Sequence, residues 1–326
     1  MTVNSQNRGE YLVFQHLESL SSEAIDLLVL DATGFPGFFL GIEYGVNVYR
    51  VSYYTRDFHP DSIIIATALV GIPLDYPCDD FSIVTVGHGL SVKDGSIPSA
   101  NTNNFALITK GIASNGFIVA APDYIRLGAE ASPGFQGFQH SETEASATID
   151  LVRAVRNFCS DNNIGLNGQL FLTGYSQGGH SSLATAKVMQ EEHPFEFTVT
   201  GVAAGGGTYD LSGIAADSLA SSMRVTPERH SLPLVARSFV EIYKDSLPQY
   251  GFPSEPVAAF DSIFESPYDS LLEVMLKRDN ASWPWHLLDS IPSRMLSDSV
   301  EFRFRNDPDF FLENSSVTMT FTIGYP

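Results

Sequence analysis

Gly174-Tyr175-Ser176-Gln177-Gly178 sets a hydroxyl between two glycines, each two residues away. A serine can attack a carbonyl when its oxygen is held on a sharp strand-to-helix turn, and glycines at these offsets let the backbone turn without side-chain clash. The run Leu170 to Thr173 before the serine is short and apolar, as a buried strand is, and Gln177 to Glu192 after it reads as a helix. A helix start offers unpaired N–H groups and partial positive charge, which suit the oxyanion of a tetrahedral intermediate. The expected chemistry is acyl transfer through Ser176, with the N–H of Gln177 as first oxyanion donor. His88-Gly89-Leu90 follows the apolar run Phe81 to Gly87, far enough ahead of Ser176 for two strand–helix units to intervene. A loop so placed can supply the second donor, and the backbone N–H of Leu90 is the expected one.

A nucleophilic serine needs a base, usually an imidazole oriented by a carboxylate, in the chain order Ser, acid, His for this arrangement. After Ser176 stand His180, His193, His230 and His286, and none follows a late strand with a loop reaching over the sheet. His180, one helical turn beyond the serine, and His286, in Trp283-Pro284-Trp285-His286, read as packing residues. His16, His59 and His140 precede the serine, the wrong order. Asp210 could serve as the acid but fits better at the start of an inserted segment. No metal cluster, phosphate loop or dinucleotide fingerprint is present, so no cofactor is expected.

The elements that must position these residues alternate. Val46 to Thr55 and Ser62 to Leu74 read as a strand hairpin, Phe81 to Gly87 as a strand, Asn103 to Ser114 as a helix and Phe117 to Ala121 as a short buried strand. Glu142 to Asn162 follows as a helix, Gln169 to Gly174 as a strand, Gln177 to Glu192 as a helix, and Phe197 to Ala203 and Ser316 to Ile323 as strands. Repeated strand–helix units imply an α/β fold, with a mostly parallel sheet covered by helices on both faces. With the Gly174 to Gly178 elbow set between such a strand and helix, the arrangement resembles the α/β-hydrolase class, which is the expected one. Between Asp210 and Ser315 the rhythm stops, and the prolines from Pro227 to Pro292 break the chain into short helical pieces. The predicted organisation is a core over residues 1–209 with an N-terminal extension, a helical cap over 210–315, and a last core strand in 316–326.

The 326 residues carry 18 Lys plus Arg against 38 Asp plus Glu, a net charge of −20, so nucleic acid and anionic lipid would be repelled and a nucleic-acid partner is not expected. No stretch reaches the ~20 apolar residues that span a bilayer, so no integral membrane segment is expected either. Cys78 and Cys159 could form a disulfide, lie reduced inside or stay exposed, and their spacing does not choose.

The chain resembles the secretory lipase family, the fungal lipase A-like α/β-hydrolases and their bacterial relatives. The resemblance rests on the His88-Gly89 loop, on Ala121-Pro122-Asp123-Tyr124 with Leu127-Gly128, on Gly174 to Gly179, and on Tyr209-Asp210-Leu211-Ser212-Gly213. Arg126 stands where relatives often have a small turn residue. The resemblance implies an esterase or lipase, a small-molecule or lipid ester as substrate, a helical cap over the acyl site, and an extracellular or periplasmic compartment. Residues 1–10 lack the apolar segment of a secretory signal. It also implies an acid just after the strand Ser316 to Ile323 and a later histidine, and Gly324-Tyr325-Pro326 resembles the start of the acid-bearing loop. The expectation is thus a chain lacking the end of such an enzyme, with weak activity as it stands. The alternatives are a peptidase or amidase of the same fold, and a noncatalytic binding protein on a hydrolase scaffold.

Overall fold

The computed structural model describes residues 8–34, 41–59, 61–78, 80–91, 94–128, 131–132, 134–210, 231–268, 288–290 and 292–297. The chain divides into two compact units, Met1–Gly137 with Ser141–Gly207, and Phe138–His140 with Thr208–Pro326.

In the first unit the strands are β1 (Tyr11–Leu20), β2 (Gly45–Arg56), β3 (Ile63–Leu74), β4 (Asp80–Gly87), β5 (Ile118–Pro122), β6 (Gly165–Tyr175) and β7 (Gly201–Gly205). The helices are α1 (Ser22–Thr33), α2 (Asn104–Ala113), α3 (Ser141–Asp161) and α4 (Gln177–Glu192). The strands form one sheet in the order β1-β2-β3-β5-β4-β6-β7. β1, β2 and β3 pair antiparallel, β3 meets β5 antiparallel, and β5, β4, β6 and β7 run parallel. The sheet is mixed, and its parallel half positions the serine. A strand covered on both faces needs no polar alternation, which is why β5, Ile-Val-Ala-Ala-Pro, is buried at every residue and β3 from Ala66 to Pro73. On one side Val46, Val48, Leu69, Val84 and Val119 share a core with Ile25 and Val29 of α1.

Three local features depart from the sequence reading. β1 and α1 were not anticipated. β1 is an edge strand, interrupted by two register shifts, with half of its residues exposed and none fully buried, so it shows little of the alternation that marks a half-buried strand. It is held instead by aromatic stacking, Phe14 on Phe158 at 3.9 Å between ring centroids. The strand expected from Phe197 begins at Gly201. The Phe197 N–H donates to the His193 carbonyl as the chain leaves α4, and its ring lies beneath the guanidinium groups of Arg153 and Arg156. β6 starts earlier than expected, at Gly165, because Asp80 and Phe81 pair with Gly165 and Leu166. The strand expected at Ser316 to Ile323 lies outside the described residues, as do His230 and His286.

Both cysteines are free thiols, Cys78 exposed and Cys159 buried. Burial pushes the Cys159 thiol up to about 12, so it stays protonated and unreactive at neutral pH.

In the second unit, α5 (Ser231–Ile242) and α6 (Pro256–Ile263) pack a small core of Leu232, Val240, Phe260, Ile263, Leu288 and Met295. Pro256 opens α6, where its missing N–H costs nothing, and Glu255 caps the helix through Ala258 N–H at 2.8 Å. Among the described residues no helix is long and apolar enough to cross a membrane.

Candidate active site

Ser176 is the single residue between the end of β6 and the start of α4. Its backbone sits at φ 58, ψ −121, a region a serine seldom adopts and that costs about 1–3 kcal/mol. The strain is held by pairing on both sides. The Ser176 N–H donates to the Gly205 carbonyl of β7 at 2.9 Å, and its own carbonyl accepts from Gly179 and His180 at 2.9 and 3.2 Å. At a helix N-cap a serine hydroxyl normally accepts from the first turn; here it caps nothing and has no hydrogen-bond partner among the described residues.

Three glycines make this turn possible, one more than the sequence motif names. A Cβ on Gly178 would overlap the carbonyl oxygen of Gly87, at the end of β4. One on Gly174 would overlap the carbonyl of Gly178 and lie 2.8 Å from that of Gly87, and one on Gly87 would lie 2.8 Å from Gly178 Cα. Two strand ends and the first turn of α4 therefore meet backbone to backbone. A fourth close approach explains part of the glycine run after β7: Tyr175, 73% exposed, lies along Gly205 and Gly206, whose added Cβ atoms would come within 3.1 and 3.0 Å of its ring.

The loop after β4 comes back to the serine. A Cβ on Gly89 would lie 3.7 Å from Ser176 Cβ, an ordinary contact distance. The His88 carbonyl accepts from Tyr124 Oη at 3.1 Å, and the Gly89 carbonyl faces His88 Nδ1 at 2.6 Å. In a trans peptide the N–H points opposite to the C=O. Tying both carbonyls to buried groups therefore turns the N–H groups of Gly89 and Leu90 the other way, and neither has an acceptor among the described residues. The Gln177 N–H, at the first position of α4, has no intrahelical acceptor. Three unpaired amides thus lie on the two segments that flank the hydroxyl.

The residues that fix this loop are Asp123 and Tyr124, quoted above only as part of the resemblance. Asp123 is fully buried, its carboxylate accepting from Thr67 Oγ1 at 2.5 Å and from Ser99 N–H at 2.9 Å. Tyr124 adopts φ 66 and stacks near the His88 ring, 4.5 Å between centroids. Burial lifts the Asp123 carboxyl to about 6, against the Ser99 and Thr67 hydrogen bonds and the charge of Arg50. Burial depresses the His88 imidazole to about 4, against its contacts with the Gly89 and Asp123 carbonyls. A neutral His88 carries one N–H, which the shorter contact assigns to Nδ1. Arg126 takes φ 61 and forms a two-pronged ion pair with Asp57 while lying over the Phe58 ring.

These two shifts oppose each other in stability. His88 binds a proton more weakly in the folded chain, so its contribution is present above its ordinary 6.5 and is lost as the pH falls toward 4. Asp123 binds one more strongly, so its contribution is present below 3.8 and is lost as the pH rises through about 6. Asp123→Asn removes the second effect, and the melting temperature should then climb more steeply between pH 4 and 6.5 than in the parent. Circular dichroism melts across that range check it; parallel curves would contradict the assignment.

No base accompanies the hydroxyl among the described residues. Among the described residues no imidazole hydrogen-bonds to Ser176. His180 turns instead into the space between α3 and α4, its Nδ1 2.7 Å from Glu144 Oε2 and its Nε2 3.3 Å from Ser141 Oγ.

The secretory lipase family model matches residues 99–221, from the turn that caps Asp123 through α4 and β7. No curated protein sequence matches the chain. Solved structures do. The rice cell wall degrading esterase LipA of Xanthomonas oryzae is 23% identical with a TM-score of 0.75, over 92% of this chain and 76% of its own. A candidate hydrolase of Legionella pneumophila is 20% identical with the same score, over 93% and 77%. Candida antarctica lipase A is 15% identical with a TM-score of 0.58, over 94% and 64%. At such identities the likeness is one of fold. The chain has the α/β-hydrolase fold, and its residues 99–221 match the secretory lipases.

Proposed function

We propose that the protein is a serine hydrolase that cleaves carboxylic esters through an acyl-enzyme on Ser176. The observation that carries this reading is the strained Ser176 hydroxyl, without a hydrogen-bond partner among the described residues, beside amides that have no acceptor among them either. Ser176 Oγ attacks the ester carbonyl. The carbonyl oxygen gains negative charge and is received by the N–H groups of Gln177 and Leu90, with that of Gly89 close by. Collapse of the tetrahedral intermediate expels the alcohol and leaves the acyl group on Ser176; water then reverses the sequence and releases the acid. The serine proton passes to a histidine, which by the family resemblance comes late in the chain order; that residue has no counterpart among the described ones. His88 and Gly89 shape the donor loop and do not touch the proton in transit. By the family resemblance, the proline-broken segment after Asp210 is assigned the role of a cap.

The resemblance and the esterase neighbours favour esters over peptides. Initial rates on p-nitrophenyl acetate, butyrate and laurate against peptide p-nitroanilides test this. Turnover of the esters alone is expected. Turnover of the anilides would make the protein a peptidase or amidase, and turnover of neither would favour a binding protein on the same scaffold.

A further inference from the structure

We infer that Glu144, on α3, is a positioning residue that holds the oxyanion donor of Gln177 in place. The inference rests on the reading of Ser176 as nucleophile and of the Gln177 N–H as donor. The start of α4 has an unusual requirement. Its N-cap is the residue whose hydroxyl must stay free to react, so the first turn forgoes the side-chain bond that normally pins a helix end. A substitute comes from the neighbouring helix. Glu144 is 1% exposed, and each of its carboxylate oxygens takes a donor from α4: Oε1 accepts from Gln177 Nε2 at 2.9 Å, and Oε2 faces His180 Nδ1 at 2.7 Å. The two α4 residues, first and fourth of the helix, are thereby tied to one rigid group from outside it.

A second observation shows how strongly this tie is kept. Gln177 Oε1 is buried with no hydrogen-bond partner among the described residues. An orphaned amide oxygen is costly in a protein interior, and an apolar side chain would avoid it. The amide is retained in the orientation that serves Glu144. Because the Gln177 N–H and side chain leave the same Cα, fixing the far end of the side chain limits the swing of the N–H. The carboxylate also lies by the positive end of α4, where negative charge favours the helical first turn.

The test uses the full chain with Glu144→Ala, Glu144→Gln and Ser176→Ala, read by p-nitrophenyl acetate hydrolysis and by amide hydrogen exchange over residues 177–180. Removing an oxyanion donor costs about 10²–10³ in kcat; a loosened donor should lose part of that, about 30-fold for Glu144→Ala, with KM within about twofold of the parent. Glu144→Gln should restore kcat to within about threefold, because a glutamine oxygen still accepts from Gln177 and its amide can donate to His180 in the other tautomer. Exchange at 177–180 should quicken in Glu144→Ala and not in Glu144→Gln. Where alanine fails to fold, Glu144→Asp, one methylene short, takes its place with the same direction of change. Unchanged kcat and exchange in Glu144→Ala would overturn the inference, as would equal losses in both variants, or a loss accompanied by faster exchange throughout the chain. If Ser176→Ala hydrolyses the ester as fast as the parent, the nucleophile reading fails separately. Exchange at 177–180 then decides the tether by itself, faster in Glu144→Ala than in Glu144→Gln supporting it and equal rates overturning it.

Discussion

With the late histidine that the family resemblance implies in place, Ser176→Ala is expected to lower ester hydrolysis by about 10⁴-fold or more relative to the parent while leaving the fold intact. The two halves of this expectation come from the same observation. The hydroxyl has no hydrogen-bond partner among the described residues, so its loss leaves no donor or acceptor orphaned. Cβ is retained, the strained backbone at φ 58 is carried by bonds to Gly205, Gly179 and His180, and none of these involves the side chain. Melting curves of the two proteins should therefore coincide while steady-state rates on a short acyl ester diverge. A variant that keeps the parental rate would remove Ser176 from the chemistry. One that loses rate together with stability would mean the hydroxyl had a structural task.

Gly178→Ala is expected to have the largest effect on stability. Its added methyl would overlap the Gly87 carbonyl oxygen and lie near the Gly87 carbonyl carbon and Cα, all backbone atoms at the end of a central parallel strand. A flexible side chain could swing away; a sheet strand paired on both sides cannot without breaking its register. Overpacking a core costs about 1–3 kcal/mol and more when nothing yields, so a loss of about 3 kcal/mol or more follows, with rates falling because the elbow itself is displaced. Two other glycines serve as controls. An alanine at exposed Gly95 would meet nothing within 4 Å, and one at Gly89 would meet Ser176 Cβ at ordinary contact distance. Gly95→Ala should melt like the parent. Gly89→Ala should also fold, while narrowing the approach to the hydroxyl. Denaturant unfolding of the three variants checks the order, and a Gly178→Ala protein as stable as Gly95→Ala would contradict the backbone contact.

These contrasts show what was legible in the sequence. The glycines at 174 and 178 are visible because they and the serine belong to one local turn, and a local steric requirement leaves a fixed spacing. Gly87 meets the same requirement from a different strand, and no spacing announces it. The strand–helix alternation from β4 to α4 was readable because each strand is a short apolar run and each helix repeats its apolar residues at helical intervals. α3 shows the limit of that signal. Its apolar stripe was visible in Ala145, Ile149, Val152 and Val155, yet Ser141, Thr143, Glu144, Ser146, Thr148 and Asp150 are buried as well. Periodicity reports which face is apolar; it is silent on polar groups that are buried because they are bonded, and so it passed over Glu144 and left His180 as a packing residue. α1 carried its signals openly, Ser21 capping Ala24 and Gly34 ending the helix at φ 75, but followed an edge strand with no clear alternation to frame it.

The central claim is that one hydroxyl, Ser176, is the nucleophile. Its most direct test is reaction of the protein with a fluorophosphonate followed by peptide mass mapping. A single adduct is expected on the peptide carrying Ser176, absent from Ser176→Ala. No adduct, or one on another serine such as Ser141 or Ser181, would contradict it.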